Sequence, residues 1–356
     1  MDLAAIRHNV AVVLSRVPPG TRLFAVVKAD GYGHGAEPVA RAALAGGAHG
    51  LAVSTLAEAR ALSGVCPPDR VLALGGLAPG AAAEAAATGT AVVCSSMELA
   101  AALSRAADPR HPLPVHLKID TGMGRLGCRP EEAPQLAAFI VGAPGLRLAG
   151  TMTHFACADS DEEFTRAQFR LFQEALAALG VEPGLRHAGN SASALRFPEM
   201  ALDAVRVGIA LYGCAGYSLR PALSLHGRIT HVRTVDQGAA VGYGATWRAL
   251  ARARIATVAM GYADGVHRAR GNRGWALVRG RRAPLVGAVS MDAVTLDVTG
   301  IAEAVPGDVA TLIGSSGSES IDAGQVASWS GTIAYEVLTS IGARVARVHL
   351  GAEDRE

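Results

Sequence analysis

The stretch TRLFAVVKADGYGHG, residues 21–35, decides how the rest of the chain is read. Five of the six residues at 23–28 are apolar and two are β-branched, the composition of a buried strand. The run ends on Lys28, and the chain breaks at Asp30-Gly31. Lysine is rarely buried without a partner, so a core strand that carries an amine to its tip points to chemistry at that tip.

The same unit recurs outward from this point. Short apolar runs at 23–28, 49–53, 70–74, 90–94, 115–119, 146–153, 185–187 and 204–207 alternate with Ala- and Leu-rich helical patterns. At 161–179, Phe164, Ala167, Leu171, Ala175 and Leu179 fall on one helical face, and Gly180 closes it. Leu3, Ile6, Val10, Val13 and Val17 mark an earlier helix, with Asp2 as N-cap and Pro18 as stop. Eight strand-helix alternations are what a (β/α)8 TIM-type barrel requires; an open doubly wound sheet is the competing α/β arrangement. After Pro221 the texture changes. Residues 224–235, 239–244, 252–261, 275–278, 293–298 and 309–313 read as strands, with helical patterning only near 322–329 and from 333 onward. GSSGSES at 314–320 reads as a flexible loop, and Arg279, Arg281 and Arg282 beside Gly280 as a solvated turn. The expected organisation is an α/β barrel over 1–220 followed by a mostly β C-terminal domain over 221–356.

Bulk properties narrow the function. A net charge of +2 over 356 residues argues against a nucleic-acid partner, which wants a concentrated basic surface. The five cysteines, Cys66, Cys94, Cys128, Cys157 and Cys214, form no CxxC pair and read as reduced, buried thiols. Eleven histidines show no HExxH and no Cys/His cluster, so no metal site is expected. The N-terminus is acidic and interrupted by charges, unlike a signal peptide, and no apolar run is long enough to span a membrane. A soluble cytoplasmic protein is expected.

In a barrel, chemistry gathers at the C-terminal strand ends, with phosphate often held after strands seven and eight. The first tip offers Lys28 and then Tyr32. The fifth, VHLKIDTGMGRLG, offers Lys118 and Arg125; the sixth, MTHFACAD, offers His154. The seventh gives HAGNSAS, with Asn190 and Ser191 at a helix start suited to an anion. The eighth, AVRVGIALYG, gives Arg206, Gly208 and Ile209. Cationic and donor groups thus converge on one mouth. Gly122, Gly124 and Gly127 match G-x-G-x-x-G, but no acid lies between Glu132 and Asp159 where a dinucleotide fingerprint places one, and the match is rejected.

These residues resemble the bacterial alanine racemases, enzymes that use pyridoxal 5′-phosphate on a barrel followed by a β domain. The likeness runs through AVVKADGYGHG, HLKIDTGMGRLG, THFACAD, RVGIALYG, VGYGATW, GYADG and VSMD, covering nearly the whole chain. It implies that Lys28 is the Schiff-base lysine and that Arg206 faces the pyridine nitrogen. A guanidinium there donates a hydrogen bond without giving up its proton, which favours reprotonation at Cα over transamination. The resemblance further implies a phosphate cradle of Tyr32, Ser191, Gly208, Ile209 and Tyr335. It places Arg125 near the cofactor's phenolic oxygen and the substrate carboxylate, oriented by a Lys118 that can be carbamylated. The second base is implied to be Tyr243, supplied by a partner subunit and relayed through His154 to Arg206. Tyr262, Met291 and Asp292 resemble partner residues lining the entrance and substrate site, so a homodimer with shared sites is implied. The activity implied is interconversion of L- and D-alanine for cell-wall synthesis. Members of this family usually begin with about ten residues forming a strand of the second domain; here Met1-Asp2 runs directly into the first helix, so either the start codon is misassigned or an edge strand is expected to be lacking.

Rival readings are a racemase of another or several amino acids (serine, lysine, broad specificity), a non-catalytic pyridoxal-phosphate carrier, and a related decarboxylase. Carriers are single barrels, and decarboxylases pair the pyridine nitrogen with a carboxylate where this chain has Arg206.

Overall fold

The computed structural model describes residues 1–351. It contains two compact units: residues 3–31 with 35–220, and residues 1–2, 32–34 and 221–351.

The first unit is built on eight parallel strands: β1 Arg22–Val26, β2 Gly50–Val53, β3 Val71–Ala73, β4 Ala91–Cys94, β5 Leu113–Lys118, β6 Leu146–Met152, β7 Leu185–His187 and β8 Ala204–Val207. Their order is β7-β6-β5-β4-β3-β2-β1-β8. Asp203 N–H donates to Arg186 O at 3.1 Å and Arg206 N–H to Gly189 O at 2.9 Å, tying the two ends of the sheet into a nearly closed barrel. β2, β3, β4, β5 and β8 are buried at every residue, which is why their sequences read as continuous apolar runs rather than alternating ones. Strand ends agree with the sequence expectation to within two residues.

One helix face does not agree. The helix Glu162–Ala177 begins after Asp161, whose side chain accepts from Phe164 N–H, but it buries Thr165, Gln168, Phe172 and Ala175. Phe164 and Leu171 lie exposed. The buried face is partly polar because its polar groups are satisfied. Thr165 Oγ1 donates to Asp161 O at 2.7 Å, and Gln168 accepts from Ala156 N–H at 2.9 Å and donates to His154 O at 3.2 Å.

The second unit is antiparallel. Its strands are β9 Leu225–Val235, β10 Ala240–Val241, β11 Trp247–Arg248, β12 Ala253–Val258, β13 Trp275–Val278, β14 Arg281–Pro284, β15 Val294–Asp297, β16 Val309–Ser316 and β17 Glu319–Ile321. The main sheet runs β14-β13-β16-β9-β12-β15 with β17 on β16, and β10 pairs only with β11. Three sequence expectations are corrected here. Residues 314–320 are no loose loop: Gly314 pairs with Ile321, Ser315 with Ser320 and Ser316 with Glu319 in a hairpin. Arg279 and Gly280 do turn, at φ 50° and 76°, but Arg281 and Arg282 pair with Val278 and Leu277 in β14. The run 239–244 is a strand only at Ala240–Val241, and Tyr243 sits on the short turn Tyr243–Ala245. Asp2 serves this unit by donating its N–H to Ala222 O at 2.7 Å and bridging Leu350 in parallel.

No described helix is long and apolar enough to cross a membrane.

Candidate active site

β1 ends at Val26, and the turn that follows carries Lys28. Ala29, Asp30, Gly31 and Tyr32 take φ of 51, 52, 61 and 52°, a left-handed turn. Such a conformation costs about 1–2 kcal/mol for each residue other than glycine, so it persists only if its surroundings hold it. Gly31 N–H donates to Val27 O, Ala29 N–H to Glu58 Oε1 and Ala36 N–H to Asp30 Oδ1, each at 2.8 Å. Glu58 Oε2 also accepts from Ser54 N–H (2.6 Å) and Thr55 N–H (3.1 Å), completing the capping box of the helix Leu56–Ala61. The second β/α unit thus clamps the turn that aims Lys28. Burial first, and then the positive charge of Arg125, lower the Lys28 amine below its ordinary value, against a smaller opposing pull from Glu58.

Arg206, on β8, is 3% exposed and has no carboxylate partner among the described residues. Nη1 donates to His187 Nδ1 (2.8 Å) and His187 O (3.0 Å). Nη2 donates to Thr153 O (2.8 Å), His154 Nδ1 (3.0 Å) and Ala188 O (2.9 Å). Nε takes no acceptor among the described residues and is the donor left over. Burial without a counter-charge lowers the guanidinium to about 9, still protonated at neutral pH. Because a guanidinium only donates, Nδ1 of both His154 and His187 must carry a lone pair. Burial, then the Arg206 charge, hold both imidazoles well below 6.5, so they are neutral.

Backbone donors also gather at Ser191. Gly208 N–H and Ala210 N–H both donate to Ser191 Oγ, at 2.9 and 3.3 Å, so two backbone donors converge on one point next to the helix Ser191–Arg196. Ile209 lies between them in the same turn. Lys118, at the end of β5, is buried, and burial, then Arg206 and Arg125, bring its amine down to about 7. Lys28, Lys118, Arg125, His154, Ser191, Arg206, Gly208 and Ile209 therefore belong to one barrel, at the strand ends or in the loops that follow them.

The remaining expected residues belong to the second unit. Tyr32 is buried against Tyr335, ring centroids 6.0 Å apart, in the stretch 32–34. Tyr262 N–H donates to Ser290 O and Ala263 N–H to Met291 O, both at 3.0 Å, so the GYADG turn lies on the VSMD loop. Gly261 permits this: a Cβ there would lie 2.3 Å from Ser290 O. Arg344 spans both segments, with Nε to Asp264 Oδ1 and Nη2 to Asp292 Oδ1 at 2.6 Å each. Tyr243 stands on its own turn, 75% exposed.

Sequence reasoning missed Glu58, Gln168, His187, His116, Ala210 and Arg344. Only Glu58 carried a readable signal, the T-x-x-E pattern at 55–58 after a strand. Among the described residues no disulfide links the cysteines, and no group of three or more His, Cys, Asp or Glu side chains is placed to hold a metal.

The donor set fits an aldehyde cofactor bearing an anionic group: an amine held below its ordinary value by burial, a guanidinium with Nε unspent, and N–H groups that converge on a serine hydroxyl. Comparisons with known proteins agree. The family described as alanine racemase, N-terminal domain, matches residues 1–216, and alanine racemase, C-terminal domain, matches 222–349. The alanine racemase of Desulforamulus reducens is 41% identical over 365 residues, covering 99% of this chain and 98% of its own length. The crystal structure of alanine racemase from E. faecalis superposes with a TM-score of 0.92 at 38% identity, over 98% of this chain and 97% of that one. That from Bartonella henselae, with covalently bound pyridoxal phosphate, gives 0.89 at 28% identity, over 98% of each. Two matching domains in the same order, with full-length likeness in sequence and in structure, place the chain in the alanine racemase family.

Proposed function

We propose that the chain interconverts L- and D-alanine by a two-base mechanism, as a cytoplasmic homodimer that binds pyridoxal 5′-phosphate and supplies D-alanine for peptidoglycan. The observation that carries this reading is the pairing of a lowered Lys28 amine with a buried Arg206 whose partners are all neutral. When bound, the cofactor supplies an electron sink that acidifies the Cα–H of the amino acid.

The chain's own groups do the rest. Lys28 Nζ takes or returns the Cα proton on one face, and burial, which lowers its basicity below the ordinary lysine value, favours the neutral amine that a base needs to be. Arg206 Nε is the donor that would be offered to the ring nitrogen of a bound cofactor, and a guanidinium would keep its proton there. Ser191, Gly208, Ile209 and Ala210 would hold the phosphate, with Tyr32 and Tyr335 assigned to it by motif. Arg125 takes the substrate carboxylate. Lys118, at about 7, has the neutral amine that carbamylation needs, and the resulting anion would answer the positive charge of Arg125 and Arg206. Tyr243 of a partner subunit serves the opposite face, with His154 as its link to Arg206, and Tyr262, Met291 and Asp292 of that subunit line the substrate site.

Racemisation rates over a panel of amino acids test the substrate. Alanine is expected to rank first; serine or lysine ranking above it would overturn the assignment. A protein that takes up pyridoxal 5′-phosphate at Lys28 and racemises nothing would overturn the activity itself.

A further inference from the structure

We propose that His116 is a positioning residue for Arg206, acting through the tautomer of His187; this rests on the reading of Arg206 given above. His116 lies on β5 two residues before Lys118, on the same face of the strand. The β5–β6 register shifts between Val115 and His116: Val115 pairs with Leu148 and His116 with Gly150, leaving Ala149 unpaired. The extra residue is on β6, the strand that faces His116. The His116 imidazole is 4% exposed, its centroid 4.9 Å from that of His187 and nearly perpendicular to it. Phe24 packs against both rings, at 6.4 Å from His116 and 6.0 Å from His187. Gly150 makes the room: a Cβ there would lie 2.6 Å from His116 Nδ1 and 2.6 Å from Leu185 O.

The bond chemistry follows by necessity from the guanidinium. Arg206 Nη1 donates to His187 Nδ1, so the proton of that neutral ring is on Nε2. His187 Nε2 lies 2.8 Å from His116 Nδ1, which must therefore accept. Without an acceptor at that point the Nε2–H of His187 is orphaned in a site closed to water, because His187 is 0% exposed. The other tautomer would set an N–H against the Nη1 donor of Arg206, two donors face to face. Arg206 has no carboxylate to fall back on, so its guanidinium must shift. His116 thus fixes the orientation of a group it does not touch.

The test uses the holoenzyme with 15N-labelled histidine. Asn places its Oδ1 where His places Nδ1, whereas Gln places its oxygen near the position of Nε2. In the parent protein and in His116→Asn, His187 is expected to show a bare Nδ1 and a protonated Nε2. In His116→Gln and His116→Leu this pattern is expected to be lost, with kcat down about tenfold and KM changed less than about twofold. His187 keeping its pattern in all variants, or Asn and Gln behaving alike, would overturn the proposal. The Asn and Gln pair keeps the test open if the Leu protein fails to fold. The tautomer readout does not depend on turnover, so a protein inactive on alanine would sink the functional reading while leaving the His116 question answered.

Discussion

The barrel mouth and the loops of the second unit that carry the other expected site residues are built in opposite ways. In the barrel, Arg206 makes five hydrogen bonds, all to atoms of its own unit, and His187, Ser191 and Lys118 around it are buried. In the second unit, Tyr243 is 75% exposed, Met291 53% and Tyr262 44%. The first region is complete and preorganised, with its charges fixed in a low-dielectric setting before any substrate arrives. The second displays side chains on well-anchored loops with nothing yet to act on. Under the proposed mechanism these are the two halves of one site, contributed by different subunits.

The largest effects should come from removing one base from each half. Lys28→Ala is expected to lose covalent cofactor attachment and about 10⁴-fold of racemisation. Tyr243→Phe is expected to keep the cofactor and its visible absorbance while losing activity on a similar scale. Steady-state rates with absorbance spectra check both; full activity in Tyr243→Phe would remove the exposed half from the chemistry.

Acid should distinguish the halves next. His116, His154 and His187 are held neutral by the barrel, His116 at about 3 against an unfolded value of 6.5. Their folded values lie below the unfolded one, so the unfolded chain binds more protons as the pH drops below 6.5. Barrel stability is therefore present above 6.5 and is lost as the pH falls toward 3, by up to about 4 kcal/mol per pH unit if all three protonate only on unfolding. Urea titrations across this range measure the slope, and a flat profile would contradict the neutral network.

Two smaller effects sharpen the contrast in how each half is anchored. Glu58→Ala leaves the N–H groups of Ala29, Ser54 and Thr55 without their acceptor and should destabilise the barrel by about 2 kcal/mol, with weaker cofactor retention. Arg344→Met releases the buried Asp264, which keeps the Gly261 N–H, and the exposed Asp292. Chemical denaturation should show a loss of only about 1 kcal/mol, and kinetics a larger rise in KM than fall in kcat.

The two regions also differed in how much of them could be read from sequence. The barrel strands were legible because burial on both faces leaves an unbroken apolar run, and their tips named Lys28, Lys118 and Arg206 directly. What escaped was whatever depends on neighbours distant in sequence. His116 and His187 lie 71 residues apart and meet across β6, where Gly150 leaves the space. Gln168 hid on a helix whose apolar pattern favoured Phe164 and Leu171, because a satisfied polar side chain packs as well as an apolar one. In the second unit, β14 was obscured by the charge of Arg281 and Arg282, and the 314–321 hairpin by serine and glycine, compositions that suit loops unless another strand offers pairing. Tyr243 was named by its motif, yet its display on a turn rather than a strand was visible only in three dimensions.

The central claim is that one catalytic centre takes Lys28 from one chain and Tyr243 from another. Mixing the Lys28→Ala and Tyr243→Phe proteins under conditions that exchange subunits tests this most directly. A hybrid dimer then carries one site with both bases and one with neither. The account predicts that two inactive preparations regain about a quarter of wild-type activity on random pairing. A mixture that exchanges subunits yet stays as inactive as its parents would contradict it.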